Sequence, residues 1–228
     1  MALDKKEIRL TLIQKLILER MQLSKRTKPC YYLSTKADMT EFMAIRPKLR
    51  KSLGVKITTN THYIHSLALS VREFPLMSGT IDNGHITIPE EINVGFAVNA
   101  PQGLVVPVIH KADTLGLAET AATEQDLIER ARDNKLVLED IEGETIALSN
   151  LGPYGIDSFI AIVPPQTSTI LSMGNVVQQM VPVDGNIEKR RVVTLTLAVD
   201  SRVINEIYAA KFLSFIKKTL EKPQLTYC

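Results

Sequence analysis

The sequence predicts a single α/β domain, and three observations carry the prediction. Segments with apolar residues at helical spacing alternate along the chain with short β-branched and aromatic runs. No Pro/Gly/Ser-rich linker, composition break or internal repeat separates them. The 228 residues, 45% hydrophobic and 23% charged, have the proportions of an ordinary globular protein and suffice for one substantial core.

The first element is a helix over about Arg9–Leu23, where Leu12, Leu16 and Leu23 recur with Ile13 and Met21 against polar Lys15, Glu19 and Arg20. Pro29 ends that pattern, and Cys30–Ala37, carrying Tyr31, Tyr32 and Leu33, reads as a strand. Asp38 or Thr40 is placed to cap a second helix through Leu53, with Pro47 inside it and Gly54 closing it. A third helix covers about Thr61–Phe74, with Ile64, Leu67, Ala68 and Val71 on one face and Pro75 after it. Thr80-Ile81 and His85–Ile88 flank Asp82-Asn83-Gly84, a hairpin signal because Asn-Gly accepts the positive φ of a tight turn. Ile92–Val98 and Leu104–Ile109 read as two apolar strands. A fourth helix over about Leu117–Asp133 presents Glu124, Glu129, Arg130 and Arg132 as an exposed face. Short strands at Thr145–Leu148 and Thr169–Met173 flank the Gly/Pro-punctuated stretch Asn150–Gln166. Val181–Asn186 reads as a turn, Arg191–Val199 as the clearest strand and Ile207–Leu220 as the last helix.

Lys plus Arg number 27 against 25 Asp plus Glu, a net charge of +2 without the clustered basic excess of a nucleic-acid binder. No apolar run reaches the roughly 18–20 residues of a membrane span, and the N-terminus lacks a signal peptide's apolar stretch. Cys30 and Cys228 cannot make a disulfide framework, which fits the cytoplasm or, for a eukaryotic protein, the mitochondrial matrix. His62, His65, His85 and His110 lack metal-ligand spacing, so no metal is expected. His62 and His65 read as part of a polar helix face and His85 as a solvated hairpin residue; His110, ending an apolar strand, is the better site candidate. Gly152 and Gly155 match neither a dinucleotide fingerprint nor a phosphate-binding loop.

Several blocks together resemble one family. They are Ile92-Asn-Val-Gly-Phe-Ala-Val98, Gly103-Leu-Val-Val-Pro-Val-Ile109, Ala112-Asp113 with Leu117-Ala-Glu119, and Thr145-Ile-Ala-Leu-Ser-Asn-Leu-Gly152 with Tyr154-Gly155-Ile156 and Pro164-Pro165-Gln166. Glu19-Arg20-Met21, Ser24-Lys25 and Tyr32-Leu33-Ser34 fit as well. The chain resembles, over essentially its whole length, the catalytic domain of dihydrolipoamide acyltransferases, the core subunits of 2-oxoacid dehydrogenase complexes. The resemblance implies a chloramphenicol-acetyltransferase-like mixed sheet with flanking helices, assembling as a trimer. It implies a channel at the subunit interface, entered from opposite ends by coenzyme A and dihydrolipoamide, in which an acyl group passes between two thiols through a tetrahedral intermediate. Residues 1–228 then form one acyltransferase core domain without lipoyl or peripheral-subunit-binding domains, and no bound lipoyl group is expected. A homotrimer, a 24-mer or 60-mer cage, or a mixed assembly with an active paralogue is implied, with no nucleic-acid or membrane partner. The end of the chain, Lys222–Cys228, offers Leu225 and Tyr227 either as a short anchor to a neighbouring trimer or as a frayed tail.

The family's catalytic signature, Asp-His-Arg-x-x-Asp/Asn-Gly, falls by this resemblance on Asp200-Ser201-Arg202-Val203-Ile204-Asn205-Glu206. Asp200 and Arg202 match as structural residues of the site, and Asn205 is a variant found in active members. Ser201 replaces the histidine, and Glu206 replaces the glycine. Ser149 matches the hydroxyl that donates to the tetrahedral oxyanion. Gln14-Lys15 stands where the family often has Arg-Lys. A serine hydroxyl is a far weaker base than imidazole, and loss of a positioned general base costs on the order of 10²–10⁴ in rate. The sequence therefore predicts a pseudoenzyme with a structural, assembly or coenzyme A-binding role. The dihydrolipoamide dehydrogenase-binding protein (component X) is a precedent with serine at that place. The alternative is an active acyl-CoA:dihydrolipoamide acyltransferase using another base, such as His110, or direct thiolate attack.

Overall fold

The computed structural model describes residues 9–10, 12–183 and 185–225. Helix α1 (Leu12–Thr27) starts later and runs further than the apolar spacing predicts, ending on Lys25 and Arg26, cations suited to a helix C-terminus. Strand β1 (Cys30–Asp38) and helix α2 (Thr40–Leu53) fall where expected. Asp38 accepts the Thr40 N–H at 2.8 Å, and Gly54 closes α2 at φ 69°, a left-handed conformation open to glycine. Helix α3 (Thr59–Glu73) begins at a reciprocal cap between Thr58 and Thr61, earlier than predicted. Asn83 and Gly84, with φ of 45° and 78°, join β2 (Thr80–Asp82) to β3 (His85–Thr87) as the hairpin signal requires.

The two apolar strands expected next each split, giving β4 (Val94–Phe96), β5 (Val98–Ala100), β6 (Gly103–Val105) and β7 (Val108–Ile109). The breaks fall at Ala97, whose N–H donates instead to Leu148 O, and at Pro107, which has no N–H to give. Helix α4 (Leu117–Arg132), β8 (Ile146–Asn150) and β9 (Thr169–Met173) follow. The predicted turn over Val181–Asn186 is mostly strand: β10 (Val177–Val183) turns directly into β11 (Asn186–Asp200), which is longer than the sequence suggests. β10 tolerates Pro182 because, among the described residues, β11 is its only partner, so one of its edges carries no ladder. Helix α5 (Glu206–Glu221) is capped by Asn205. Beyond it Pro223–Leu225 form a short 3-10 turn, while Tyr227 and Cys228 lie outside the described residues.

The main sheet runs β1-β11-β9-β8-β4-β7, with β10 off β11. β8 is parallel to both β4 and β9, and the other pairings are antiparallel, so the sheet is mixed as predicted. Alternation along the strands gives it two unlike faces. One face, with Leu148, Leu171, Leu195 and Leu197, packs against Ile64 and Leu67 of α3 and Phe212 and Ile216 of α5 to form the core. Each such side chain contributes about 1.5–3 kcal/mol through burial. On the other face Ala147, Ile170 and Ala198 cluster with Val163, beside a row of hydroxyls in which Ser149, Ser172 and Thr196 are in register. His62 and His65 belong to the core layer, which corrects their reading as a polar face. His62 stacks on Phe42 at 4.1 Å between ring centroids, and its Nε2 lies 3.2 Å from Leu220 O. Burial lowers its pKa to about 3, so the ring is neutral. No helix among the described residues is long and apolar enough to cross a membrane.

Candidate functional site

The segment matching the family signature is the turn between β11 and α5. Asp200, the last residue of β11, is buried, and its carboxylate accepts a fork from Arg202: Nε at 3.0 Å and Nη2 at 2.6 Å, with the Arg202 N–H at 3.1 Å. The Asp200 carbonyl accepts the N–H groups of Val203 and Ile204, which curls the chain toward α5. Asn205 then uses its Oδ1 to accept the Tyr208 N–H at 2.9 Å. Exposed Ser201 is held differently, with its N–H (3.0 Å) and its hydroxyl (2.7 Å) both donating to Pro29 O. Asp200, Arg202 and Asn205 therefore build the turn, and Ser201 ties it to the segment between α1 and β1.

A pocket of about 320 Å³ lies beside this turn, lined by Ser24, Lys25, Lys28, Cys30, Tyr32 and the apolar run Ile160–Val163. Cys30 is opposite Asp200 in the sheet. Burial, then the Asp200 charge, push its thiol pKa up, so it is not an activated nucleophile. Burial pulls Lys28 below the ordinary lysine value, with Asp200 acting the other way.

Ser149 lies elsewhere. The Ser149 row crosses β9 and meets β11 at Thr196, five residues before Ser201. With strands about 4.8 Å apart and about 3.3 Å per residue, Ser149 and Ser201 of one chain are roughly 15–20 Å apart. A single chain does not bring these two predicted site residues together. His110 is farther still, following β7 at the opposite edge of the sheet, exposed, with Nε2 3.0 Å from Glu139 O. Among the described residues, no histidine stands by Ser201.

Next to Ser149, Asn150 borders a larger cavity of about 430 Å³ between α3, α4 and the β4–β5 junction, lined also by Lys56, Asn60, Phe96, Glu124 and Arg132. Glu124, predicted on an exposed face, is only 2% exposed. Its carboxylate accepts from Asn60 Nδ2 at 2.9 Å, Thr61 Oγ1 at 2.5 Å and Thr58 Oγ1 at 3.3 Å. Burial raises its pKa, and these donors, Thr61 foremost, oppose the rise. Asn60 Oδ1 in turn accepts from Asn150 Nδ2 at 3.2 Å, and Asn150 Oδ1 accepts the Gly152 N–H at 2.9 Å. Because a carboxylate only accepts, Glu124 fixes which way both amides point. Sequence reasoning missed Glu124 although a signal existed: it lies on the helical stripe of Leu117, Ala121, Leu127 and Ala131, all buried.

The model of the family described as 2-oxoacid dehydrogenases acyltransferase (catalytic domain) matches residues 2–228. The dihydrolipoyllysine-residue acetyltransferase component of pyruvate dehydrogenase complex from Rickettsia bellii is 32% identical over 217 residues, 93% of this chain and 52% of that protein. The pyruvate dehydrogenase protein X component of Mus musculus is 31% identical over 223 residues, 95% of this chain and 44% of that protein. The chain thus spans about half the length of these relatives. Two solved structures superpose with a TM-score of 0.94 each, covering 99% of this chain and 95% of theirs. One is the Azotobacter vinelandii dihydrolipoamide acetyltransferase, 27% identical; the other is the cubic core of the pyruvate dehydrogenase multienzyme complex, 28% identical. A chloramphenicol acetyltransferase, 14% identical with a TM-score of 0.54, covering 90% of this chain and 92% of its own, shares the fold alone.

Proposed function

The chain belongs to the 2-oxoacid dehydrogenase acyltransferase catalytic-domain family, and on that premise we propose that it is a core subunit that keeps the shape of the acyl-transfer site without its base. The observation that carries the reading is the Ser201 hydroxyl, committed as a donor to Pro29 O at 2.7 Å. Such a group does not take the proton of an attacking thiol, which with a pKa near 8.5 is mostly protonated at neutral pH. The Azotobacter vinelandii structure addresses the role of a serine, a histidine and an asparagine in that enzyme's catalytic mechanism. The intervals between those three residues equal the intervals Ser149–Ser201 and Ser201–Asn205. That agreement supports reading Ser149 as the oxyanion donor and Ser201 as the occupant of the base's place. The likeness to a protein X component supports a structural role beside an active paralogue.

Coenzyme A is the ligand we assign to the Glu124 cavity, where Lys56 and Arg132 supply charge for its phosphates. Dihydrolipoamide suits the pocket beside Ser201, whose Ile160–Val163 wall matches an alkyl dithiol. In the transfer itself the attacking sulfur bonds to the acyl carbon as its proton passes to a base, the thioester carbon–sulfur bond breaks, and the departing sulfur takes a proton back from that base to leave as the second thiol. Since Ser149 and Ser201 of one chain lie far apart, a complete site needs a second copy. A homotrimer, alone or built into a larger or mixed cage, meets that need, and the cubic core of the pyruvate dehydrogenase relative supports it.

Coenzyme A titration followed by an acetyl-CoA:dihydrolipoamide turnover assay tests the reading. The expected result is binding, with turnover at least about 100-fold below that of the Ser201→His variant. Wild-type turnover equal to that of the variant would overturn it. Light scattering that finds only monomer would overturn the assembly.

A further inference from the structure

The loop from Val163 to Ser168 has five of its six carbonyls directed at two neighbouring segments. Val163 O accepts from Ser24 Oγ at 2.5 Å, and Ser168 O accepts the Asp200 N–H at 2.9 Å. Between them, Pro164 O (2.7 Å), Pro165 O (2.8 Å) and Thr167 O all accept from a single atom, Lys28 Nζ. An ammonium carries three N–H donors and no acceptor, so the cage uses all of them. Three convergent carbonyl dipoles repel one another unless a cation or donor stands at their centre. Lys28 supplies that cation from the segment whose next residue, Pro29, receives both Ser201 bonds.

We propose that Lys28 is a positioning residue: a built-in cation that gathers the Pro164–Thr167 carbonyls and so fixes the Ile160–Val163 wall of the pocket beside the Ser201 turn. Within the loop Pro164 and Pro165 cannot donate, and Thr167 turns its N–H to Pro164 O at 3.3 Å and its hydroxyl to Thr169 O at 3.4 Å. Its ends are fixed by the Ser24 and Asp200 contacts, by buried Val163 and by the Thr167 hydroxyl, and the ammonium alone gathers the carbonyls of Pro164, Pro165 and Thr167 between them. A methionine in place of Lys28 would fill the space yet leave three carbonyls facing each other without a donor, which is the costly case for a buried polar group. A guanidinium keeps the charge but is planar and wider, so it cannot present three N–H groups to one side. The site is specific for a primary ammonium. The cage stands on geometry alone; only its description as part of a transfer site rests on the function proposed above.

Chemical rescue tests it. Lys28→Ala should melt at a lower temperature than wild type, and added methylammonium, which can donate three N–H bonds, should restore most of the difference. Tetramethylammonium, with the same charge and no N–H, should restore none. Equal effects of the two salts, or no loss in the variant, would overturn the cage. Should Lys28→Ala not fold in either salt, the wild-type protein decides. On brief treatment with an amine-acetylating ester, Lys28 should react at least tenfold more slowly than Lys25, which lines the same pocket from its exposed side. Comparable rates would sink the proposal, and a partner subunit covering the pocket would shield both lysines alike. The functional arm is ligand binding: Lys28→Met should weaken dihydrolipoamide binding at least tenfold and leave coenzyme A affinity within twofold. If wild type binds neither ligand, the transfer reading fails while the rescue still judges the cage. If both ligands bind and Lys28→Met changes neither affinity, the positioning role fails.

Discussion

Beside the Ser149 turn stands buried Glu124 and beside the Ser201 turn half-buried Lys28, charges of opposite sign used in opposite ways. Glu124 is an acceptor that collects the side-chain donors of Thr58, Asn60 and Thr61, and through Asn60 sets Asn150 and Gly152. Lys28 is a donor that collects backbone carbonyls and sets no other side chain. At the Ser149 end the order passes through amides facing a cavity, so it bears directly on what that cavity binds. At the Ser201 end it passes through main chain, and the Asp200–Arg202 fork adds a second frame. On the function proposed above, the contrast accounts for a signature that persists without its base. Asp200, Arg202 and Asn205 hold the turn whatever side chain stands at residue 201.

If that frame is what keeps the Ser201 end in place, the largest effect should come from breaking it. Asp200→Ala removes a buried carboxylate and strands Arg202. Because the Arg202 side chain is 38% exposed and can reach water, the expected loss is about 3 kcal/mol, the lower end for such a pair. Urea denaturation measures it, and a loss below about 1 kcal/mol would make the fork ornamental. At the other end, Glu124→Leu leaves the Asn60 and Thr61 donors without their acceptor, for about 2 kcal/mol by the same assay. It should also weaken coenzyme A binding, which Asp200→Ala should affect less. Ser201→Ala removes one exposed hydroxyl bond and should cost no more than about 1 kcal/mol.

The smallest expected effect is the most specific. Glu124 holds its proton more tightly in the folded chain than at its ordinary pKa of 4.5. Its protonation therefore favours folding at low pH, and that contribution declines as pH rises from about 4.5 through the folded value. The stability of wild type relative to Glu124→Gln should fall over this window. Melting temperatures of both proteins between about pH 4 and 8 would show it, and a parallel pair of curves would refute it.

Much of this architecture was legible in the residues. The α3 stripe, the Asn83-Gly84 hairpin and the Arg191–Val199 run pointed to elements that exist. What escaped were features decided by neighbours distant in sequence. Val181–Val183, the end of β10, reads as part of a turn, and pairing with the start of β11 makes it strand. Ile92–Val98 looks continuous, yet Ala97 bonds to β8 and the chain leaves the sheet there. At the site, Asp200, Arg202, Asn205, Ser149 and Ser201 were identifiable through the family resemblance. Lys28 was not, because its partners are backbone carbonyls, which leave no trace in side-chain spacing. Glu124 reads as surface when charge is weighed above position, although it lies on the buried stripe of α4.

The glycines near Ser149 carry one more consequence. A Cβ on Gly152 would strike Gly174 O, and one on Gly174 would strike Asp157 O. The same crossing is stitched by Leu151 N–H to Met173 O and Asn175 N–H to Ile156 O. Two loops are thus interlocked like the halves of a zip, with no slack for a methyl group. The conformational entropy of this corner is surrendered when the chain folds, so a ligand that binds beside Ser149 meets main chain already ordered.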